Sequence, residues 1–195
     1  MIGREIFYEP ISLTTDKTRF LEESGPKINY SSSRLTADEF FIRNHPLLFE
    51  TGIREQKVDC FSASGQVAFF ETGGDFPFDI FAASFYLLSR YEEWLPFKPD
   101  KYGRFPYHTS LAFRENFLDI PLVNYWLEHF KKRLQEKFPE LLFRIKDFKI
   151  IPSYDIDIAY SYKYKGLFRN AGGFARSLLK GEWARLLDRW DVLFQ

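Results

Sequence analysis

The sequence predicts an α/β protein, and three stretches carry that prediction. "DIFAASFYLLSRYEEWL", Asp79 to Leu95, reads as a helix apolar around most of its circumference, which requires a central position. Leu122, Trp126, Phe130, Leu134 and Phe138 recur at helical spacing behind Pro121, a favoured first helical position, and predict a second, amphipathic helix. Between residues 56 and 71, two short alternating runs flank Ser62-Ala63-Ser64-Gly65, the pattern of a β-hairpin.

Taken in order, Glu5 to Leu13 and Lys27 to Tyr30 read as short β-like pieces separated by the turn at Gly25-Pro26. Thr36, followed three residues later by Glu39, has capping-box spacing and predicts a short helix that His45-Pro46 must end. Strands follow over Gln56 to Phe61 and Gln66 to Glu71. Asp79 suits the N-terminus of the central helix, and Pro96 should close it. Arg90, Glu92 and Glu93 read as structural, because adjacent glutamates on a helix point in different directions. "DKYGRFP", Asp100 to Pro106, is a loop turning at Gly103. Lys131-Lys132-Arg133 is a solvated face by the same geometry.

The chain has 195 residues, of which 45% are hydrophobic and 19% aromatic, enough for a substantial core. Its 27 basic and 27 acidic side chains cancel, so no global field draws it to nucleic acid or an anionic membrane. A single cysteine, Cys60, excludes an internal disulfide and reads as a small buried hydrophobe. No apolar run approaches the ~18 residues of a membrane span, and the N-terminus lacks a signal-peptide pattern, so a cytoplasmic location is expected. His45, His108 and His129 are isolated from one another, and each reads as structural.

Chemistry concentrates in "FKIIPSYDIDIAY", Phe148 to Tyr160. A strand running through it, with Pro152 at its beginning, its edge or a bulge, would project Asp155 and Asp157 to the same side, with backbones about 6.5 Å apart. Two like charges at that separation repel by about 2 kcal/mol at an effective dielectric near 20. Either a basic side chain or a divalent metal would relieve them; Lys163, Lys165, Arg169, Arg176 and Lys180 follow with no acid between. A strand, then a loop, then helices places the pair where α/β folds keep their sites. Tyr160, Tyr162 and Tyr164 alternate with Ser161, Lys163 and Lys165, a pattern suited to stacking on sugar rings or, more simply, to a half-wet strand.

"FPFDIFAASFYLLSRYEEWLP", "DKYGRFP" and "PSYDIDIAYSYKYKGLFRNAGG", in this order, resemble the Bacteroidetes-type bacterial polysaccharide deacetylase-like proteins, in which an uncharacterised N-terminal domain precedes a deacetylase domain. The resemblance covers most of the chain from about Phe76. It implies a mixed α/β accessory domain over residues 1–147, followed over 148–195 by the first strand and helices of an incomplete β/α barrel. It also implies a hydrolase that removes acetyl groups from a bacterial polysaccharide or oligosaccharide with a divalent metal, zinc in most such enzymes. Ser153 and Tyr154 fall in the Thr and Phe places of the family's Thr-Phe-Asp-Asp motif, which makes Asp155 the implied general base and Asp157 the implied metal ligand.

The sequence departs from that motif in two ways. Ile156 separates the aspartates, so their roles are interchangeable in principle, and the expected H-x-x-x-H is absent. The chain alone is therefore expected to be inactive, a truncated piece whose missing partner is the rest of the barrel. Leu179, Trp183, Leu186, Trp190 and Leu193 or Phe194 form an apolar stripe that predicts an exposed patch. Two other readings stay open: a haloacid-dehalogenase-like phosphatase using Asp155-x-Asp157, and a non-catalytic interaction domain whose aspartates are neutralised by Lys or Arg.

Overall fold

The computed structural model describes Phe7 and residues 11–143, 149–155 and 166–194, the side chains of 167, 189, 193 and 194 excepted. It is a mixed α/β structure with two small sheets and several helices. The chain divides into two compact units, Met1–Lys146 and Asp147–Gln195.

The first unit opens with a short helix, α1 (Lys17–Glu22), capped by the Asp16 carboxylate, which accepts from the Thr18 and Arg19 N–H groups. Strands β1 (Ile28–Ser31) and β2 (Phe40–Arg43) then pair in parallel, Ile28 opposite Phe40. Parallel strands ordinarily need a crossover of about a dozen residues or more. Here residues 32–39 suffice, because the buried Glu39 carboxylate folds the connection onto itself: it accepts from Leu35 N at 2.9 Å, Thr36 N at 3.2 Å and Asn29 Nδ2 at 2.8 Å. The bond from Thr36 N to Glu39 is one half of the capping box expected from the sequence, yet no helix follows. Phe40, Phe41 and Ile42 are drawn into the strand pair instead and are almost wholly buried there.

Beyond β2, Gly74 forms a bridge with Ile42. A Cβ on Gly74, at φ +111°, would stand 2.6 Å from the Phe41 carbonyl oxygen, so only glycine admits this approach. The hairpin is present but shorter than expected: β3 (Phe61–Ala63) pairs antiparallel with β4 (Gln66–Ala68). Ser64 and Gly65 both take positive φ, 52° and 78°, as a type I′ turn requires. Residues 56–60 lie outside β3.

The central helix is α2 (Ile80–Leu88), with Ile80, Ala82, Ala83, Ser84 and Tyr86 buried. It ends well before Pro96. Arg90 adopts the left-handed conformation, and a 3₁₀ turn, Tyr91–Trp94, follows. This break sends Tyr91 inward to stack on Tyr86 at 5.2 Å and leaves Phe85 and Leu88 exposed, so the apolar surface is narrower than the sequence suggests. It also separates the glutamates: Glu92 accepts from Leu111 N, at the start of the short helix α3 (Leu111–Arg114), whereas Glu93 pairs with Arg90. The 100–106 loop turns at Gly103, where Asp100 Oδ1 accepts from Tyr102 N and Arg104 N.

Helix α4 (Leu122–Lys137) buries Leu122, Trp126, Phe130 and Leu134, and Phe138 just beyond it, the stripe read from the sequence. Of its basic triplet, Lys132 and Arg133 are exposed while Lys131 is partly covered, and Lys131 pairs with Glu128 and Arg133 with Glu136. The core is an aromatic lattice: Phe40 and Phe76 meet Phe130 edge to face, and Phe69 and Phe78 meet Trp126 in the same manner. Edge-to-face contact sets the positive rim of one ring against the negative face of the next. The Cys60 thiol packs against this core, and burial pushes its pKa up to about 11, away from thiolate reactivity.

In the second unit, residues 149–155 have no regular secondary structure and lie exposed, with Ile150 79% and Ile151 84% accessible. The strand expected from Phe148 is not formed over these residues. No ladder takes up their backbone groups, and Pro152 has no N–H to donate. Helices α5 (Leu167–Leu179) and α6 (Trp183–Phe194) contact each other across a turn in which Gly181 has φ +67°. Leu186, a member of the predicted stripe, is buried together with Ser177, whereas Leu179, Trp183 and Trp190 are exposed. No helix among the described residues is long and apolar enough to cross a membrane.

Candidate functional site

Asp155, the implied base, is exposed at the end of the 149–155 segment, beside Tyr154 at 83% accessibility. Asp157, the implied metal ligand, lies outside the described residues, as do Tyr160, Tyr162, Tyr164, Lys163 and Lys165. The same-side geometry of the two aspartates is therefore not on view. Among the described residues, no three His, Cys, Asp or Glu side chains gather as a metal-binding group. The described donors do not by themselves fit a zinc shell, which needs three or four protein ligands.

The organised polar chemistry belongs to the first unit. Asp79, fully buried, caps α2 with Oδ1, which accepts from Phe81 N and Ala82 N, both at 2.9 Å. Its Oδ2 accepts from the Tyr30 hydroxyl and from His45 N, both at 2.7 Å. One carboxylate thus ties β1, the end of β2 and α2 together. Burial first, and then the hydrogen bond to Asp79, raises the Tyr30 phenol pKa well above the ordinary range, so Tyr30 acts as a donor. The His45 ring stacks on Phe70 at 4.0 Å, and its Nδ1 accepts from Leu47 N.

A second cluster surrounds Asp75. Burial tends to raise its carboxyl pKa, but Arg34 at 2.6 Å, Phe41 N at 2.8 Å and Lys137 at 3.2 Å together outweigh that effect and hold it below the usual carboxylate range. Asp75 therefore fastens α4 to β2 and leaves no free acid. The third arrangement, Ser64 and His129, looks at first like a nucleophile and its base, with Oγ 2.8 Å from Nε2. The hydroxyl is also 3.1 Å from Nδ1, and among the described residues no carboxylate hydrogen-bonds the ring to fix its tautomer. The orienting third member that such a pair needs is missing.

Sequence reading found Asp79 as a helix cap but not Tyr30 or His45 as its partners, nor the pairing of Ser64 with His129, because these contacts join residues 34 to 65 positions apart. Neutral Nδ1 on His45 is needed to accept from Leu47 N, and burial lowers the pKa of His45 and of His129. A base with a lowered folded pKa contributes stability that is complete above its unfolded value, about 6.5, and is lost as pH falls through the folded one. Resistance to urea unfolding is thus expected to fall as pH drops from about 6.5, and the paired substitutions His45→Asn and His129→Gln should flatten that slope. An unchanged slope would assign the acid sensitivity to carboxylates.

A protein-family model described as a family of unknown function (DUF7033) matches residues 1–139. The chain belongs to the DUF7033 family. The matched DUF7033 region takes in both sheets, the central helix, α4 and all three polar clusters. Asp155 lies beyond it. No curated protein and no solved structure matches the chain.

Proposed function

We propose that the DUF7033 region is a non-catalytic platform and that the segment after it opens a metal-dependent carbohydrate deacetylase domain of β/α-barrel type. In that domain Asp155 would serve as general base and Asp157 as metal ligand. The observation that supports this division is how the carboxylates use their oxygens. Glu39 and Asp79, the buried carboxylates among the described residues of the first unit, both accept backbone N–H groups within the fold and keep no oxygen for a substrate. Asp155 is exposed, and a general base must present an accessible oxygen.

The substrate class is an N-acetyl or O-acetyl group on a bacterial polysaccharide. A divalent metal, zinc by preference, would supply the activated water and polarise the carbonyl. Two carboxylates do not complete its shell, so further donors are required and the chain by itself should not turn over. The test is to supply the chain with Zn²⁺ or Mg²⁺ and measure metal binding, acetate release from an acetylated oligosaccharide and phosphate release from a generic phosphate ester. Weak metal binding, with Kd on the order of millimolar, is expected, and either Asp155→Asn or Asp157→Asn should abolish it. Binding untouched by both substitutions would leave only the non-catalytic interaction domain. Magnesium-dependent phosphate release lost in Asp155→Asn would favour the phosphatase.

A further inference from the structure

The break after α2 creates a feature that neither the core nor the Asp155 segment uses. Ser89, Arg90, Glu93 and Trp94 line a shallow, open concavity of about 290 Å³, just below the ~300–1,000 Å³ range of enclosed small-molecule sites. Trp94 is 68% exposed, although its indole is not loose: Nε1–H donates to the Ser89 carbonyl at 3.2 Å, pinning the ring by its edge. An indole fixed at its edge and this exposed offers a stacking surface.

The groups beside it are polar and charge-balanced. Arg90 Nε donates to Glu93 Oε1 at 2.6 Å, and Nη2 pairs with the same oxygen. Both bonds use Oε1, which leaves Glu93 Oε2 able to accept from a ligand hydroxyl. Arg90 also holds the left-handed conformation, φ 54° and ψ 46°, which a non-glycine residue adopts at an energetic cost that often marks functional positions.

We propose that this shelf binds one ring of a neutral saccharide, stacked by its C–H face on Trp94 and hydrogen-bonded through its hydroxyls to Glu93 and Arg90. The balanced Arg90–Glu93 pair favours an uncharged ligand over an anion. A single aromatic face does not make the cage that recognises quaternary ammonium, nor the multi-ridged groove that reads a proline-rich helix. The proposal does not depend on the deacetylase reading: it concerns residues within the DUF7033 match, and its test involves neither metal nor turnover.

The experiment is a ¹H–¹⁵N NMR titration of the whole chain with cellotetraose, chitotetraose and xylotetraose, with a proline-rich peptide and inorganic phosphate as controls. The Trp94 indole signal, assigned by its disappearance in Trp94→Phe, is expected to shift with at least one oligosaccharide, at a Kd on the order of millimolar. Trp94→Ala should weaken binding at least about tenfold, Glu93→Gln several-fold, and Trp94→Phe less than Trp94→Ala, because it keeps a ring and loses only the pin. Since Trp94 is exposed, these variants should keep the wild-type spectrum elsewhere. The absence of any Trp94 shift up to about 20 mM sugar overturns the proposal. Binding that survives Trp94→Ala, or a Trp94 response to the peptide or phosphate alone, overturns it equally.

Discussion

Asp79→Ala is expected to lower the stability of the first unit by about 3–5 kcal/mol, the loss typical of breaking a buried hydrogen-bonded network. Four donors converge on this carboxylate: Tyr30 Oη, His45 N, Phe81 N and Ala82 N. None can be rehydrated in place, since Asp79 has no exposed surface. Loss of the helix cap alone costs about 1 kcal/mol, and the remainder comes from stranded N–H and O–H groups. Asp79→Asn separates the contributions. Its oxygen can still cap Phe81 and Ala82, but its amide N–H₂ would face the His45 N–H, donor against donor. An intermediate loss is therefore expected. Tyr30→Phe should cost about 1 kcal/mol alone and show coupling when combined with Asp79→Ala. Urea denaturation of the wild type and these four variants checks this, and a loss under about 1 kcal/mol for Asp79→Ala would remove Asp79 as the hub of the fold.

Trp126→Ala should have a comparable effect through packing, about 3–5 kcal/mol. Trp126 is 2% exposed, lies edge to face with Phe69 at 5.6 Å and Phe78 at 5.1 Å, and donates Nε1–H to the Val67 carbonyl at 2.9 Å. It thus attaches α4 to the hairpin both by area and by a hydrogen bond. Trp126→Phe retains most of the ring but leaves the Val67 carbonyl without that donor, and should cost about 1–3 kcal/mol. Domains of this size are typically stable by only about 5–15 kcal/mol, so Trp126→Ala brings the fold near its limit. Thermal melts read by near-ultraviolet circular dichroism would register it. Equal losses for the alanine and phenylalanine variants would make the hydrogen bond, rather than the packing, the larger part.

What the sequence revealed, and what it hid, follows the range of the interactions. The α4 stripe from Leu122 to Phe138 is periodic, so it was legible residue by residue. The hairpin was legible too, from Gly65 and the alternation around it, although the expected turn over Ser62–Gly65 tightens to Ser64-Gly65, with Ser62 and Ala63 taken into β3. Thr36 and Glu39 gave the right hydrogen bond and the wrong element, since local spacing fixes who bonds whom but not whether β1 lies ready to pair with Phe40–Arg43. The end of α2 at Arg90 was invisible: Pro96 is a stronger local stop, and the earlier break depends on Tyr91 and Glu92 finding Tyr86 and Leu111. For the candidate site, the spacing of Asp155 and Asp157 was legible from the letters alone. Their joint geometry depends on neighbours that a run of seven exposed, unpaired residues, 149–155, does not supply.

The tight link between β1 and β2 has an evolutionary corollary. Residues 32–39 span the crossover only because Glu39 reaches back to Leu35 and Thr36, and a single inserted residue would pull that carboxylate out of reach of both. Relatives should consequently hold this spacing fixed while gaining or losing residues freely around the Gly103 turn. A homologue whose crossover differs in length must have reinvented the way its first two strands meet.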